Sequence, residues 1–266
     1  MNNHGILILG DKSFIGKNLC SGISKDNFPI SISRHDVDLL DPISVKELLG
    51  KYSPRVIINC CWDGSSYKPN NEQTYLNNIK IFNNLYLCNN LYKKMIIFGS
   101  GLEKGKSLVS DHMRFYYEAK VSIAKLAFNK DKIIKLNIFN CFGLDENKER
   151  FVTRCIRSCY ENKTIEIKDN RYFDFLYIED LTTIIDYLIK NPPNLYYELD
   201  CVHDKKYKLS DIADIIRTLT KSQNNLSINS LSEIDYIGDG GKLRNLQLSL
   251  NTMNESLDKF INKFIC

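Results

Sequence analysis

Residues 5–16 read GILILGDKSFIG, and their pattern decides the fold. Ile6, Leu7, Ile8 and Leu9 form an unbroken apolar run without helical spacing, which suits a strand buried on both faces of a parallel sheet. Gly10 ends the run, turn-prone residues follow, and from Phe14 the apolar positions of FIGKNLCSGI fit a helix. A strand that turns through glycine straight into a helix aims the helix's unpaired N–H groups and positive dipole end at one spot above the sheet edge. That spot suits a pyrophosphate. The spacing Gly10, Ser13, Gly16 lacks only the middle glycine of a dinucleotide fingerprint, with serine in its place. An ordinary tight turn is the alternative. The position directly after an apolar strand favours the dinucleotide.

Composition sets the bounds. The 266 residues, 43% hydrophobic, suffice for a full core in one large or two modest domains. A formal charge of +4, with 26% charged residues interspersed, excludes nucleic-acid binding on electrostatics alone. No run reaches membrane-spanning length, and MNNHGILILG has no basic segment or cleavage site of a signal peptide; a cytoplasmic protein with no membrane partner is expected. The nine cysteines form no CxxC pair, and Cys20, Cys60, Cys61, Cys88 and Cys141 sit in apolar segments, which reads as reduced, buried thiols and no metal site.

Along the chain, strands alternate with helices. Phe28 to Ser33 reads as a second strand, Asp41-Pro42 opens a helix to Leu49, and Arg55 to Cys61 is a buried strand. Asn78 to Leu91 is helical, Lys94 to Gly99 extended, Phe115 to Phe128 helical, Ile133 to Phe139 extended, and Ser210 caps a helix to Leu219. Such alternation predicts an α/β fold, a doubly wound parallel sheet with ligands beyond the strands' carboxyl ends.

After the second strand comes SRHDVDLLD, with Arg34 where an acidic residue would take a ribose 2′-hydroxyl. A guanidinium there suits the 2′-phosphate of NADP. A solvated Arg34, or Asp36 swinging in to serve NAD, are the alternatives. Tyr116 and Lys120 in YYEAK stand four apart on a helix and share a face. A cation beside a phenol favours phenolate, which proton transfer near neutral pH requires. Of the 15 tyrosines only Tyr116 has lysine four positions on, so the pair is singled out. His35 and His112 have no partner at metal-ligand spacing and read as surface residues.

The order of these motifs resembles extended short-chain dehydrogenases/reductases of the nucleotide-sugar epimerase, dehydratase and reductase branch, and among them the fucose-synthase type of 4-keto reductase. LILGDKSFIG is similar to the glycine loop, which implies cofactor contacts from Gly10, Ser13, Phe14, Ile15 and Gly16. SRHDVDLLD resembles the segment whose residues, here Asp38 and Leu39, touch adenine; VIINCCWDG and NNIKIFNNL bring Cys60 and Asn78 to the cofactor. YYEAK matches the family's Tyr-x-x-x-Lys, LNIFNCFG places Asn140 near a sugar-nucleotide diphosphate, and FDFLYIEDL matches a family segment whose arginine is here Phe173. The resemblance implies a Rossmann-type part over residues 1–143, to which 172–200 return, and a small substrate-binding part over 144–171 and 201–266.

Three departures shape the implied activity. Gly101 stands at the usual catalytic hydroxyl and leaves Ser100 one place early, Leu102-Glu103 replace the Asp-Glu of dehydratases, and Arg171, two before Phe173, would substitute on the same strand face. Arg150, Arg154 and Arg157 share a helical face, and Arg150 is the one assigned to the diphosphate. The implied function is NADP(H)-dependent reduction of a nucleotide-linked 4-keto-6-deoxy sugar, with Tyr116, Lys120 and Ser100 as catalytic group. An NAD-dependent 4-epimerase and a silent dinucleotide-binding sensor are the alternatives, NAD(H) is the alternative cofactor, and a homodimer is an open expectation.

Overall fold

A computed structural model describes residues 5–64, 70–105 and 109–265. In chain order the elements are β1 (Ile6–Leu9), α1 (Phe14–Gly22), β2 (Pro29–Ile32), α2 (Pro42–Tyr52), β3 (Val56–Asn59), α3 (Glu72–Leu87), β4 (Lys94–Ser100), α4 (Arg114–Ala127) and β5 (Ile133–Ile138). Then come β6 (Cys141–Phe142), α5 (Phe151–Tyr160), β7 (Ile165–Asn170), β8 (Leu176–Tyr177), α6 (Ile178–Lys190), β9 (Tyr197–Asp200), α7 (Leu209–Thr220), β10 (Leu226–Leu231), α8 (Gly241–Arg244) and α9 (Met253–Ile265). Contacts divide the chain into two compact units, residues 1–137 with 184–199 and residues 138–183 with 200–266.

The first unit is built on a six-stranded sheet in the order β2-β1-β3-β4-β5-β9. β1 pairs in parallel with β2 and with β3, and β3 with β4. The chain therefore steps from β1 to one side and then to the other. The turn after β1 stands at this reversal, where doubly wound sheets bind ligands. All four residues of β1 are fully buried, as an apolar run between two helical layers requires. Leu7, Leu9, Val45, Leu49, Ile57, Leu85 and Met95 form one core cluster around it.

Local chemistry sets the element boundaries. Asp41 accepts N–H bonds from Ile43 and Ser44 ahead of Pro42, which opens α2 as the sequence predicts. β2 begins only at Pro29, because Phe28 is left-handed with φ of 49°. α3 begins six residues before the expected Asn78: Asn71 accepts the Thr74 N–H while the Thr74 hydroxyl takes the Asn71 N–H, a reciprocal cap that recruits a polar stretch into the helix. α7 starts at Leu209 rather than behind a Ser210 cap. The Asp211 carboxylate takes the Lys208 N–H at 2.8 Å, and Ser210 instead pairs with Asn170.

In the second unit β6 pairs in parallel with β8, and β10 with β7. Its core is aromatic: the Phe142 ring lies 5.5 Å from Tyr177 and 6.0 Å from Phe260, centroid to centroid. The eight described cysteines are free thiols. Among the described residues no helix is long and apolar enough to cross a membrane.

Candidate active site

Gly10 adopts φ of +83°, and a Cβ there would come within 3.0 Å of the Cys60 and Cys61 backbone just past β3. A Cβ at Gly16 would lie 2.1 Å from the Gly10 carbonyl oxygen. Both glycines are thus demanded by a turn folded tightly onto the neighbouring strand. Ser13 occupies the middle position as the helix cap: its Oγ accepts the Gly16 N–H at 3.0 Å and donates to the Gly10 carbonyl at 2.8 Å. The result is a rigid turn with the N-terminus of α1 above it. Phe14 and Ile15, the first two residues of α1, are half-buried.

The segment after β2 is a second preformed turn. The Asp36 carboxylate takes both the Ser33 N–H, at 2.8 Å, and the Ser33 hydroxyl, at 2.6 Å; these bonds from Ser33 hold its pKa below the ordinary aspartate value. Asp36 is thereby committed to its own turn, and Arg34 stands exposed. Asp38 is exposed and accepts the Leu40 N–H at 2.9 Å. Leu39 is buried in the core, its carbonyl accepting from Asn84 at 2.9 Å.

At the carboxyl end of β3, Cys60 is buried and its N–H donates to the Leu9 carbonyl at 2.9 Å. Asn78, 2% exposed, accepts the Asp63 N–H at 2.9 Å and donates to the Asp63 and Thr74 carbonyls at 2.9 and 2.7 Å. Its amide is spent on fastening the loop that carries Trp62 and Asp63.

α4 brings Tyr116 and Lys120 to one face, the ammonium 5.7 Å from the Tyr116 ring centroid. Lys120 is buried and donates to the Phe98 carbonyl on β4 at 2.7 Å. Burial lowers its pKa to about 7; Glu103 opposes that shift and Lys135 adds to it. The face of Trp62 covers the same ammonium at 3.6 Å, and the Trp62 and Tyr116 rings meet edge-on at 5.3 Å. Nothing in the sequence reading singles out Trp62; its signal was its place as the chain's one tryptophan, just past a strand end. Ser100 closes β4, and its hydroxyl accepts the Leu102 N–H at 3.2 Å, which leaves the hydroxyl proton to donate.

In the second unit Asn140 and Arg150 are brought together: the Arg150 guanidinium donates to the Asn140 side-chain oxygen. The sequence reading missed the third member, Glu146, whose carboxylate accepts from the Thr153 hydroxyl at 2.5 Å and lies 3.5 Å from Arg150 Nε. Burial raises the Glu146 pKa to about 7 against the pull of Arg150 and Thr153. Arg171 pairs with Asp169 at 3.3 Å. Phe173 packs in an aromatic group, 4.7 Å from Tyr236 and 5.2 Å from Phe175. Arg154 is exposed and Arg157 reaches Glu161 at 3.5 Å. Among the described residues no cluster of His, Cys, Asp and Glu could hold a metal ion.

Three solved structures share this architecture end to end. A GDP-mannoheptose C4 reductase from Campylobacter jejuni with NADP bound superposes with a TM-score of 0.82 at 17% identity, over 100% of this chain and 99% of that one. A GDP-L-fucose synthetase from Naegleria fowleri bound to NADP gives 0.77 at 17% identity, over 100% and 94%. A dTDP-4-dehydrorhamnose reductase from Bacillus anthracis in complex with NADP gives 0.78 at 17% identity, over 98% of each chain. At such identity these likenesses speak for the fold. The sequence itself goes further, because residues 6–198, well over half the chain, match the model of one family. With the glycine turn at the sheet's reversal and the Tyr116–Lys120 pair beyond β4, the chain belongs to the NAD dependent epimerase/dehydratase family.

Proposed function

We propose that the protein is an NADP(H)-dependent reductase of a nucleotide-linked 4-keto-6-deoxy sugar, acting in the cytoplasm. The observation that carries this reading is the Tyr116–Lys120 pair, with the Lys120 ammonium anchored on the Phe98 carbonyl at 2.7 Å. NADP in the names of all three structural neighbours, and a nucleotide-sugar reductase in two of them, support it.

The residues present fit a dinucleotide. Gly10 and Gly16 let the turn fold tightly against the end of β3, and the N-terminus of α1 above that turn would offer N–H groups to a pyrophosphate. Arg34 offers a guanidinium to a 2′-phosphate, because Asp36 is held by Ser33. The bound dinucleotide would supply the hydride. Tyr116 would deliver the proton to the keto oxygen, and Lys120 would hold the ribose and ease the phenol's proton release. The Ser100 hydroxyl would donate to the same oxygen. Asn140 and Arg150 would bind the diphosphate, with Arg171 a further contact once released from Asp169. In this reading residues 1–143 and 172–200 hold the dinucleotide, and 144–171 and 201–266 the nucleotide sugar. Glu103 is engaged by the Ser100 N–H and by Lys135, at 2.7 and 2.6 Å, so it is not poised as the acid or base of a dehydratase.

The test is proton NMR of the protein with freshly made GDP- and dTDP-4-keto-6-deoxy sugars and NADPH. Stoichiometric NADPH oxidation with formation of the 4-hydroxy sugar is expected. Interconversion of nucleotide sugars without net cofactor consumption would establish an epimerase instead, and NADPH binding without turnover a sensor.

A further inference from the structure

The indole N–H of Trp62 is buried and finds no hydrogen-bond acceptor among the described residues. A buried donor left in that condition is disfavoured and rare in native proteins. Two contacts hold the ring where it is. Its face lies 3.6 Å from the Lys120 ammonium, and its edge meets the Tyr116 ring at 5.3 Å. Asn78 fixes the backbone just beyond, through its paired bonds to Asp63 at 2.9 Å. The ring is thus held beside the two residues assigned to proton transfer, with one donor unfilled and shut off from solvent, so that an incoming acceptor must displace the atoms covering it.

We propose that the Trp62 indole N–H is a ligand-binding donor of this site, and that its partner is an acceptor oxygen of the molecule bound against Tyr116 and Lys120. The inference rests on the reading of that pair as a dinucleotide and sugar site. Both ligand classes carry acceptor oxygens: the dinucleotide in its ribose and carboxamide, the nucleotide sugar in its hydroxyl and keto groups.

Because the chain holds a single tryptophan, a uniformly 15N-labelled sample gives one indole N–H cross-peak. That peak is followed during titration with NADPH alone and with GDP-fucose alone, while calorimetry on the same samples reads binding. Saturation by one of the two should move the indole proton downfield and slow its exchange with water, and that ligand is then the partner. Trp62→Phe keeps a ring against Lys120 but removes the N–H; it should weaken the same ligand about five- to tenfold, the worth of one hydrogen bond, and leave the other within about twofold. Should Trp62→Phe fail to fold, the cross-peak of the unaltered protein still decides. Calorimetric binding with an unmoved peak, or a peak that shifts to faster exchange, would overturn the Trp62 assignment alone. Failure of both ligands to bind the unaltered protein would overturn the site reading and the assignment together.

Discussion

Lys135 Nζ lies 2.6 Å from Glu103 Oε2, and only 4% and 9% of the two side chains are exposed. The other Glu103 oxygen accepts the Ser100 N–H at 2.7 Å, so the charge pair is tied to the turn that carries the proposed catalytic hydroxyl. Lys135 also reaches Glu198 at 2.9 Å. Burial alone would raise the Glu198 pKa, but bonds from Asn137, Lys135 and Tyr196 bring it down to about 2. Gly99 makes room for the group, since a Cβ there would lie 2.2 Å from Asn137 Oδ1 and 2.8 Å from Lys135 Cε.

Removing the cation would strip buried Glu103 of its direct ion pair and leave it only the weaker pull of Lys120. Lys135→Met should therefore cost about 3–5 kcal/mol, with the half-open Glu198 arm contributing little of it. Guanidinium denaturation measures the loss, and adding Glu103→Gln should recover part of it. A loss below about 1 kcal/mol would mean that water solvates the carboxylates and the pair is not a structural tie.

Arg34 stands exposed beside a turn that Asp36 and Ser33 lock at 2.6 Å. If the guanidinium takes a 2′-phosphate, Arg34→Ala should weaken NADPH by about tenfold or more, the worth of a charge-assisted bond, and leave NADH almost unchanged. Calorimetry with both dinucleotides checks this. Equal losses would remove the 2′-phosphate assignment and leave Arg34 a solvated residue.

Tyr116→Phe removes one hydroxyl from a ring that keeps its contacts with Trp62 and Lys120. Turnover should fall by about 10²- to 10⁴-fold, the usual worth of a positioned proton donor, with NADPH affinity within about twofold. Single-turnover NADPH oxidation and calorimetry separate the two effects. Unchanged turnover would take Tyr116 out of the mechanism.

What the sequence made legible was what short-range pattern controls. The run Ile6 to Leu9 suits a buried strand, Asp41-Pro42 a helix start, and lysine four after Tyr116 a shared helical face, and each is found so. What it hid depends on partners distant in the chain. Lys135 stands in β5, where the sequence shows the charge but not its partners, and that charge is met by Glu103 and Glu198, neither of them a sequence neighbour. Trp62 finds Lys120 only because β3 and β4 pair and α4 follows β4. Glu146 sits in the polar stretch LDENKER, which looks solvated, yet only 1% of its side chain is exposed.

That buried Glu146 carries a pH signature of its own. Its pKa is raised from 4.5 to about 7, chiefly by burial, with Arg150 and Thr153 pulling the other way. The folded state therefore holds a proton between those two values that the unfolded chain releases, and stability falls as pH rises through the window. Above about pH 7 the folded state has lost the proton too, and the deficit levels off, on the order of 3 kcal/mol. Glu146→Gln keeps an acceptor for Thr153 and has nothing to titrate. The stability difference between the unaltered protein and Glu146→Gln, from denaturation at pH 5 and pH 8, should shift against the unaltered protein at the higher pH. Subtraction removes the opposite slope of Lys120, which gains stability only as pH climbs above about 7. The same titration reaches the proposed diphosphate site, because a charged Glu146, 3.5 Å from Arg150 Nε, offsets the guanidinium. GDP affinity should accordingly fall through pH 7 in the unaltered protein and stay flatter in Glu146→Gln. Parallel stability curves would show that Glu146 titrates as an ordinary solvated carboxylate; parallel affinity curves alone would detach Arg150 from the diphosphate.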